Sequence, residues 1–287
     1  MTTEIDYLKE VNLLKPVIAQ AADKFIVPRF RSLREEDILN KGRLDETLTI
    51  ADTDASDFIL SWCRERFPGS FTEEEISDDR FDYDILWSID PLDGTDEFRH
   101  GKPGFCVQTS LLVKRGGSYV PVAGIIYLPL EKRFVYGTEN TGPFLDFNGK
   151  TKKIIARKTS GIIATQREQD PSPELDKFYQ FLRKCGYKVK VIDTGGAGST
   201  VAQMFIGMER PNLYIMPRSY TKEWDLSPSE NCVSRAGGWI SDLHGNQISY
   251  NRQNTKNENG YVVAIGLEKE EILARITEFG VNNILNK

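Results

Sequence analysis

A short apolar segment that ends in acidic residues constrains this chain more than any other feature. The segment ILWSID, residues 85–90, predicts a buried strand, because it is largely apolar and is followed at once by Pro91. Such a strand delivers Asp90 into a turn, and Pro91 stiffens the backbone that brings Asp93 close to it. Two carboxylates in one small volume repel each other unless cations compensate their charge. The segment therefore predicts a site for divalent cations.

Composition and charge narrow the class of protein. The chain has 287 residues, of which 39% are hydrophobic, and this predicts a large core in one domain or in two packed halves. Its net charge of -5 provides no excess of lysine and arginine for a nucleic-acid backbone or an anionic membrane. The first residues include acids where a signal peptide has a basic region, and no apolar stretch is long enough to span a bilayer. We expect a soluble, cytoplasmic monomer or homodimer that binds neither polynucleotide nor membrane.

The cysteines and histidines exclude several catalytic mechanisms. The four cysteines form no CxxC pair, and none is followed six positions later by the arginine that a cysteine-nucleophile phosphatase uses. The two histidines, His100 and His244, are too few for a histidine-based zinc site, and His244 fits a turn. Any metal ion must therefore be held by oxygen atoms.

The spacing of apolar residues predicts helices and strands along the first half. A stripe over residues 5–26 predicts a helix, and a second helix is expected to begin after Asp52 or Thr53. Residues 105–147 are rich in strand-forming segments separated by turns, which predicts an antiparallel meander.

The second half has a different pattern. After residue 150 strands and helices alternate, among them a helix expected over residues 173–184, which predicts an α/β architecture. Residues 239–250 predict a hairpin around His244, Gly245 and Asn246. We divide the chain at residue 150: residues 1–150 would carry most of the metal site, and residues 151–287 the substrate pocket and the last metal ligand.

The turn after the predicted strand offers more than two carboxylates. The Leu92 carbonyl, exposed in the turn, is a natural additional oxygen ligand. Gly94 permits a tight backbone, and the amides of Gly94 and Thr95 at a helix start form a site for a phosphate oxygen. Further acids are available in FTEEEIS, residues 71–77, and in KEWD, residues 222–225.

Taken together, these segments resemble the inositol monophosphatase superfamily of lithium-sensitive, magnesium-dependent phosphatases. Acids after a short strand, then Asp-Pro-Leu-Asp-Gly-Thr, then Trp-Asp occur in the order of that family, and the resemblance covers nearly the whole chain. It implies a five-layered α/β/α/β/α sandwich, two or three Mg²⁺ ions and a small phosphate monoester as substrate. The metal ligands that it implies are Glu73, with Glu74 as the alternative, Asp90, the Leu92 carbonyl, Asp93 and Asp225.

The resemblance also assigns a catalytic pair. It places Asp52 against Thr95, where the two residues would orient and deprotonate the attacking water, with Asp52 as proton acceptor. The implied reaction is an in-line displacement assisted by metal ions, without a covalent phosphoenzyme.

Within the superfamily, the second half resembles the 3'(2'),5'-bisphosphate nucleotidase branch. The matching segments are TGGAGSTVAQMFIG and EWD with the later RAGGWISDLHGNQISY. The implied reaction converts 3'-phosphoadenosine 5'-phosphate to AMP, and the alternative is an inositol phosphate or other sugar phosphate as substrate. The implied substrate contacts are Gly94, Thr95, Thr165, Gly196 and Thr200.

Two positions depart from that branch. Its lysine after Gly-Gly-Ala-Gly is Thr200 here, and its substrate-contacting histidine aligns near Glu168. Arg167 or Arg218 is a candidate to replace the missing cation.

Two other functions compete with this interpretation. A phosphatase of the haloacid-dehalogenase type would use Asp52 and Asp54 as nucleophile and acid, but it leaves the DPLDGT and EWD segments without a role. A catalytically silent sensor of nucleotides or phosphoinositides would keep the fold and the metal but not the turnover.

Overall fold

Seven α-helices and fourteen strands build the described part of the chain, which in the computed structural model comprises residues 5–40, 47–155, 161–219 and 221–285. The helices are α1 (Tyr7–Ala21), α2 (Ile50–Arg66), α3 (Thr95–Arg99), α4 (Pro173–Lys184), α5 (Ala197–Ile206), α6 (Glu230–Arg235) and α7 (Lys269–Phe279). The strands are β1 (Ile38–Asn40), β2 (Thr47–Thr49), β3 (Phe71–Thr72), β4 (Ile85–Asp93), β5 (Cys106–Arg115), β6 (Ser118–Leu128), β7 (Arg133–Thr138), β8 (Phe144–Phe147), β9 (Lys150–Lys153), β10 (Ile162–Arg167), β11 (Val189–Thr194), β12 (Leu213–Met216), β13 (Gly238–Ser241) and β14 (Tyr261–Ile265).

Most of the strands lie in two sheets. The larger sheet has the order β3-β4-β5-β6-β7-β8-β9, and its strands from β4 onward are antiparallel neighbours. The smaller sheet has the order β11-β10-β12-β14-β13, with β10 parallel to both β11 and β12. The predicted meander and the predicted α/β second half are both confirmed.

The two sheets and their helices form five layers. Helices α1 and α2 pack on the outer face of the larger sheet, and their buried residues share one core with those of β4 to β7. Helices α5 and α6 lie between the two sheets. Helices α4 and α7 cover the outer face of the smaller sheet. The inner strands are therefore buried on both faces, as β4, β12 and β14 are, whereas the edge strand β9 is exposed.

Helix α1 forms where its apolar stripe predicts it. Asp6 caps the helix by accepting a hydrogen bond from the Lys9 amide at 3.0 Å, and Leu14 and Ile18 are fully buried. Pro16 lies inside the helix without ending it, and one π-helical turn, Ala22–Ile26, extends it.

Helix α2 begins at Ile50, so the predicted start after Asp52 or Thr53 is wrong by one turn. Thr49 is the N-cap, and its amide donates to the Asp52 carboxylate at 2.8 Å. Asp52 is therefore the third helical residue of a capping box, a position that the apolar pattern alone does not identify.

Strand β4 continues through Pro91 to Asp93, so the predicted end of the strand at Pro91 is also wrong. Asp90 pairs with Gln108 and Asp93 pairs with Cys106, which leaves an irregularity in the register between the two aspartates. Because proline removes one ladder donor, the pairing is disturbed there and resumes one step later. The irregularity brings Asp90 and Asp93 close together.

The predicted hairpin at residues 239–250 does not form. Strand β13 pairs instead with β14, which lies later in the chain. The Asp242 carboxylate accepts hydrogen bonds from the amides of His244 and Asn246 at 2.9 and 2.8 Å, so its side chain supports a turn that leads away from the sheet. His244 is a turn residue, as its sequence position indicates.

The larger sheet runs past the predicted division at residue 150, because β9 spans Lys150–Lys153. The division into two halves stays a prediction. Within the described residues, no helix is both long and apolar enough to cross a membrane.

Candidate active site

Three carboxylates converge between the two sheets. Asp90, Asp93 and Asp225 each offer an oxygen atom, and these atoms all lie within 4.8 Å of one another. Asp90 and Asp93 are buried at the end of β4, whereas Asp225 is partly exposed at the end of the short 3-10 helix Glu223–Asp225. Carboxylate oxygens are the ligands that hard divalent cations such as Mg²⁺ prefer.

The electrostatics of this cluster fit a cation. Burial raises the pKa of Asp90 well above its ordinary value, and the charges of Asp93 and Glu73 raise it further. Burial likewise raises the pKa of Asp93 to about 6 and that of Asp225 to about 8. Without a cation these carboxylates resist ionisation together, and a bound divalent ion would reverse that cost. The donor set therefore fits the metal ions that the sequence predicts.

Asp93 is held by a helix from the other half of the chain. The amides of Ala197 and Gly198, at the start of α5, donate to its two carboxylate oxygens at 3.0 and 2.9 Å. A Cβ atom on Gly196 would lie 2.5 Å from the Asp93 Oδ2 atom, so this approach requires glycine. The helix start stabilises the carboxylate through its free N–H groups and its dipole.

The resemblance implies a substrate contact at Gly196, but nothing in the local sequence predicts that the Gly-Gly-Ala-Gly segment caps a metal ligand. The glycines were the only local sign that another group approaches this backbone closely. The partner of the segment lies about a hundred residues away and is not visible in a local pattern.

Asp90 is oriented by two nearby groups. The Leu92 amide donates to its Oδ1 atom at 3.2 Å, and the Gln108 side-chain amide donates to its Oδ2 atom at 3.3 Å. Gln108 is a residue of the site that the local sequence does not identify. It faces Asp90 because the two are direct partners in the β4–β5 ladder.

Thr95 links the DPLDGT segment to α2. Its hydroxyl lies 3.1 Å from the Asp52 Oδ1 atom and 2.9 Å from the Leu92 carbonyl oxygen. The other oxygen of Asp52 accepts hydrogen bonds from the Thr49 amide and hydroxyl at 2.8 and 2.6 Å. The side chain of Asp52 is thus held with one oxygen toward Thr95, and its role in proton transfer stays a prediction.

Glu73 approaches the cluster from the end of β3. Its Oε2 atom accepts a hydrogen bond from the Trp224 indole at 3.2 Å, and Trp224 directly precedes Asp225. The charge of Glu73 raises the pKa of Asp90 more than that of Glu74 does. Of the two glutamates, this arrangement favours Glu73 as a ligand.

A partly buried ion pair that the local sequence does not predict lies beside the cluster. The Arg167 Nη2 atom is 2.9 Å from both carboxylate oxygens of Glu97, which belongs to α3. The charge of Arg167 opposes the upward shift of the Asp93 pKa. Arg218, the other cation considered for the pocket, is paired with Asp170 at 2.7 and 3.0 Å.

The predicted substrate contacts fall into two groups. Gly94, Thr95 and Gly196 lie at the carboxylate cluster. Thr165 and Thr200 are both buried, and the Thr200 hydroxyl donates to the Gly195 carbonyl at 3.2 Å.

Two cavities lie near these residues. A small one at the carboxyl ends of β10 and β12 is lined by Thr165, Arg167 and Arg218 among others. A larger one, of about 320 Å³, includes Glu97, Glu168 and Gly195 in its lining.

Comparison with known proteins gives one consistent result. Residues 10–280 match the model of the inositol monophosphatase family. The 3'(2'),5'-bisphosphate nucleotidase 1 of Mus musculus is 26% identical over 298 residues, covering 99% of this chain and 85% of its own. Inositol monophosphatase 1 of Solanum lycopersicum is 24% identical, covering 78% of this chain and 82% of its own.

Solved structures agree in fold. The IMPase of Thermotoga maritima superposes with a TM-score of 0.74 at 20% identity, covering 96% of this chain and 99% of its own. CysQ from Bacteroides thetaiotaomicron gives a TM-score of 0.73 at 23% identity, covering 91% of this chain and 99% of its own. The five-layered sandwich predicted from the resemblance is confirmed.

The family match, together with the carboxylate cluster, defines the class of protein: a phosphatase with oxygen ligands for a metal. The chain belongs to the inositol monophosphatase family, because the family model matches nearly all of it. It is a phosphoric monoester hydrolase, and enzymes of this family are metal-dependent and act on small phosphate monoesters.

Proposed function

We propose that this phosphatase is a Mg²⁺-dependent 3'(2'),5'-bisphosphate nucleotidase that converts 3'-phosphoadenosine 5'-phosphate to AMP and phosphate. The observation that carries the proposal is the relative from Mus musculus, which bears this activity in its name and aligns with 99% of the chain. Inositol monophosphatases from Solanum lycopersicum and Xenopus laevis align with 78% and 86% of it.

The proposed metal ligands are the residues that the sequence predicted: Glu73, Asp90, the Leu92 carbonyl, Asp93 and Asp225. When bound, Mg²⁺ would lower the pKa of a water molecule and neutralise charge on the phosphate and the leaving oxygen. The protein holds these ligands in position through three elements. Strand β4 presents Asp90 and Asp93, α5 fixes the latter, and the turn at Glu223–Asp225 presents Asp225.

Thr95 and Asp52 form the proposed proton path. The Thr95 hydroxyl can donate to the Asp52 Oδ1 atom at 3.1 Å, and it can then accept a hydrogen bond from the attacking water. As the water loses a proton to Thr95, the hydroxyl proton moves to Asp52. Because Thr49 holds the other oxygen of Asp52, the acceptor keeps its orientation.

Two arginine side chains support a substrate with a second phosphate. Arg167 and Arg218 stand at the carboxyl ends of neighbouring parallel strands, which is where ligands bind in α/β sheets. Each arginine is paired with a carboxylate, Glu97 or Asp170, that keeps its guanidinium in place. A 5'-phosphate could share these cations, because a guanidinium carries five donors.

An inositol or sugar phosphate is the second candidate substrate. The observation that favours it is Thr200, which stands where the nucleotidase branch has a lysine and whose side chain is buried. Several relatives at similar identity are named inositol monophosphatases.

The test is phosphate release with Mg²⁺, with and without lithium, from four compounds measured side by side: 3'-phosphoadenosine 5'-phosphate, inositol 1-phosphate, inositol 1,4-bisphosphate and fructose 1,6-bisphosphate. We expect lithium-blocked preference for the nucleotide. Preference for an inositol or sugar phosphate would replace the nucleotidase assignment with the second candidate. Magnesium-dependent binding of these compounds without phosphate release would favour the sensor.

Asp93→Asn provides the control for the metal site in the same assay. It removes one charge from the cluster and keeps the side-chain shape, so we expect a folded protein without activity. Retained turnover in this variant would refute the proposed metal centre.

A further inference from the structure

A buried arginine from the first half of the chain reaches into the second half behind the carboxylate cluster. Arg80 is 3% exposed and lies in the short 3-10 helix Asp78–Asp82, just before β4. Its Nε atom donates to the Asn251 side-chain oxygen at 2.9 Å, and its Nη2 atom donates to the Arg252 carbonyl at 3.0 Å. A buried guanidinium is costly unless its donors are satisfied. Here the Nε and Nη2 donors are satisfied by a loop 171 residues away, whereas Nη1 donates locally to the Ser77 carbonyl at 2.6 Å and to the Asp78 carboxylate at 3.2 Å.

Arg252 carries this connection to the turn that presents Asp225. Its amide and its Nε atom donate to the Glu223 Oε2 atom at 3.2 and 3.4 Å. Its Nη2 atom also donates to the carbonyls of Thr255 and Lys256, which fixes the loop itself. Glu223 is fully buried and begins the 3-10 helix that ends at Asp225.

A second path runs from Arg80 to Glu73. The guanidinium lies 5.6 Å from the ring centroid of Phe71, which is two residues before Glu73. Phe71 in turn packs edge-on against Trp224 at 6.2 Å, and the Trp224 indole donates to Glu73. The strand that precedes Glu73 and the turn that carries Asp225 are thus in contact through Phe71 and Trp224.

These contacts are needed because the local structure around Glu73 and Asp225 is short. Asp90 and Asp93 belong to a nine-residue strand that is paired on both sides, and Asp93 is also capped by α5. By contrast, Glu73 follows a strand of two residues, and Asp225 ends a 3-10 helix of three residues. Elements of this length do not hold a geometry by their own hydrogen bonds.

We propose that Arg80, Arg252 and Glu223, here called the arginine clamp, are positioning residues that set the separation of Glu73 and Asp225 and thereby the affinity for Mg²⁺. This inference rests on the proposed metal centre. The clamp touches neither the substrate nor the reacting atoms. Its effect is on the two ligands that come from different halves of the chain.

The test is calorimetric titration of the full-length protein with MgCl₂ in the absence of any substrate. We expect Arg80→Met to raise the Kd for Mg²⁺ about tenfold, within the roughly 10–100-fold range seen when groups that orient metal ligands are removed. Arg80→Lys should give an intermediate Kd, because an ammonium group keeps the charge but lacks the planar fork that reaches both Asn251 and Arg252. The rise in melting temperature on adding Mg²⁺ should shrink in the same order.

Arg66→Met is the matched control. Arg66 also pairs with a buried acid, Glu10, at 2.7 Å, but it lies at the far end of α2 from Asp52. Arg66 and Asp52 are about 21 Å apart along the helix, at about 1.5 Å per residue. We expect Arg66→Met to lower the melting temperature and to leave the Kd for Mg²⁺ within twofold of wild type.

Three results would overturn the proposal: an unchanged Kd in folded Arg80→Met, an equal loss of affinity in Arg66→Met, or a wild type that binds no Mg²⁺. The last result would also refute the proposed metal centre, whereas the first two would refute the clamp alone. If Arg80→Met does not fold, Arg80→Lys and Glu223→Gln decide the matter in the same titration, because both keep the size of the side chain. Since no substrate is present, the outcome is independent of which phosphate ester the enzyme hydrolyses.

Discussion

Substituting Gly196 by alanine should disable the carboxylate cluster through a single methyl group. The added Cβ would lie 2.5 Å from the Asp93 Oδ2 atom and 2.8 Å from the Gly94 amide nitrogen. The φ angle of Gly196 is -58°, which alanine adopts without strain, so the contact alone is responsible. The carboxylate has to retreat by about 1 Å to reach an ordinary contact distance of about 3.5 Å.

That retreat breaks the two hydrogen bonds from α5. A hydrogen bond to a charged group contributes about 1.5–3 kcal/mol, so after partial relaxation we expect a loss of about 2–4 kcal/mol in the free energy of unfolding. A displacement of about 1 Å at a catalytic centre costs roughly a hundredfold in rate. We therefore expect kcat to fall by about that factor at saturating Mg²⁺.

The assay combines urea unfolding, followed by circular dichroism, with phosphate release. Gly137→Ala is the control, because a Cβ there would meet its nearest atom at 3.4 Å, an ordinary contact. We expect the control to keep its activity and to change the free energy of unfolding by less than about 1 kcal/mol. Wild-type stability together with wild-type kcat in Gly196→Ala would refute the reasoning.

Three further predictions concern pH, catalysis and the core. Because burial raises the pKa of Asp93 to about 6 and of Asp225 to about 8, the folded protein in EDTA holds protons that the unfolded chain releases at lower pH. The free energy of unfolding in EDTA should therefore fall as the pH rises from about 5 to about 8. Mg²⁺ should remove most of this fall. A free energy of unfolding that does not change with pH in EDTA, measured by urea unfolding, would contradict the prediction. Thr95→Ala should lower kcat by about 10²–10³ with an unchanged Kd for Mg²⁺, and Thr95→Ser should recover much of the rate; equal loss in both variants, measured by phosphate release, would count against a hydroxyl relay. Ile18→Ala, at a fully buried position of α1, should cost about 2–5 kcal/mol in urea unfolding, whereas a loss below about 1 kcal/mol would mean that α1 is not part of the core.

Local patterns in the chain were sufficient for much of the architecture. Helix α4, Pro173–Lys184, has the bounds that its pattern predicts, with Ser172 as its cap. The meander from β5 to β8 follows from alternating apolar segments and turn residues, which act over a few positions. Patterns failed where long-range partners decided the outcome. The segment after Asp242 has the composition of a hairpin, but β14 supplied a fully buried partner for β13 instead.

The same division applies to the candidate site. The proximity of Asp90 and Asp93 was predictable, because the strand end, the proline and the turn that bring them together all lie within four residues. The cap on Asp93 from α5 and the pair of Glu97 with Arg167 were not predictable, because each joins residues at least 70 positions apart. Such contacts depend on how the two sheets pack.

Local sequence encodes the acidic segments, the elements that carry them and the family to which they point. It does so because strands, turns and caps are encoded by neighbouring residues. Long-range packing, in contrast, sets which backbone amides face Asp93, which cation lies beside Glu97 and how the turn of Asp225 is held against Glu73. Those choices come from packing two sheets around α5 and α6, where burial forces each polar group to find a partner.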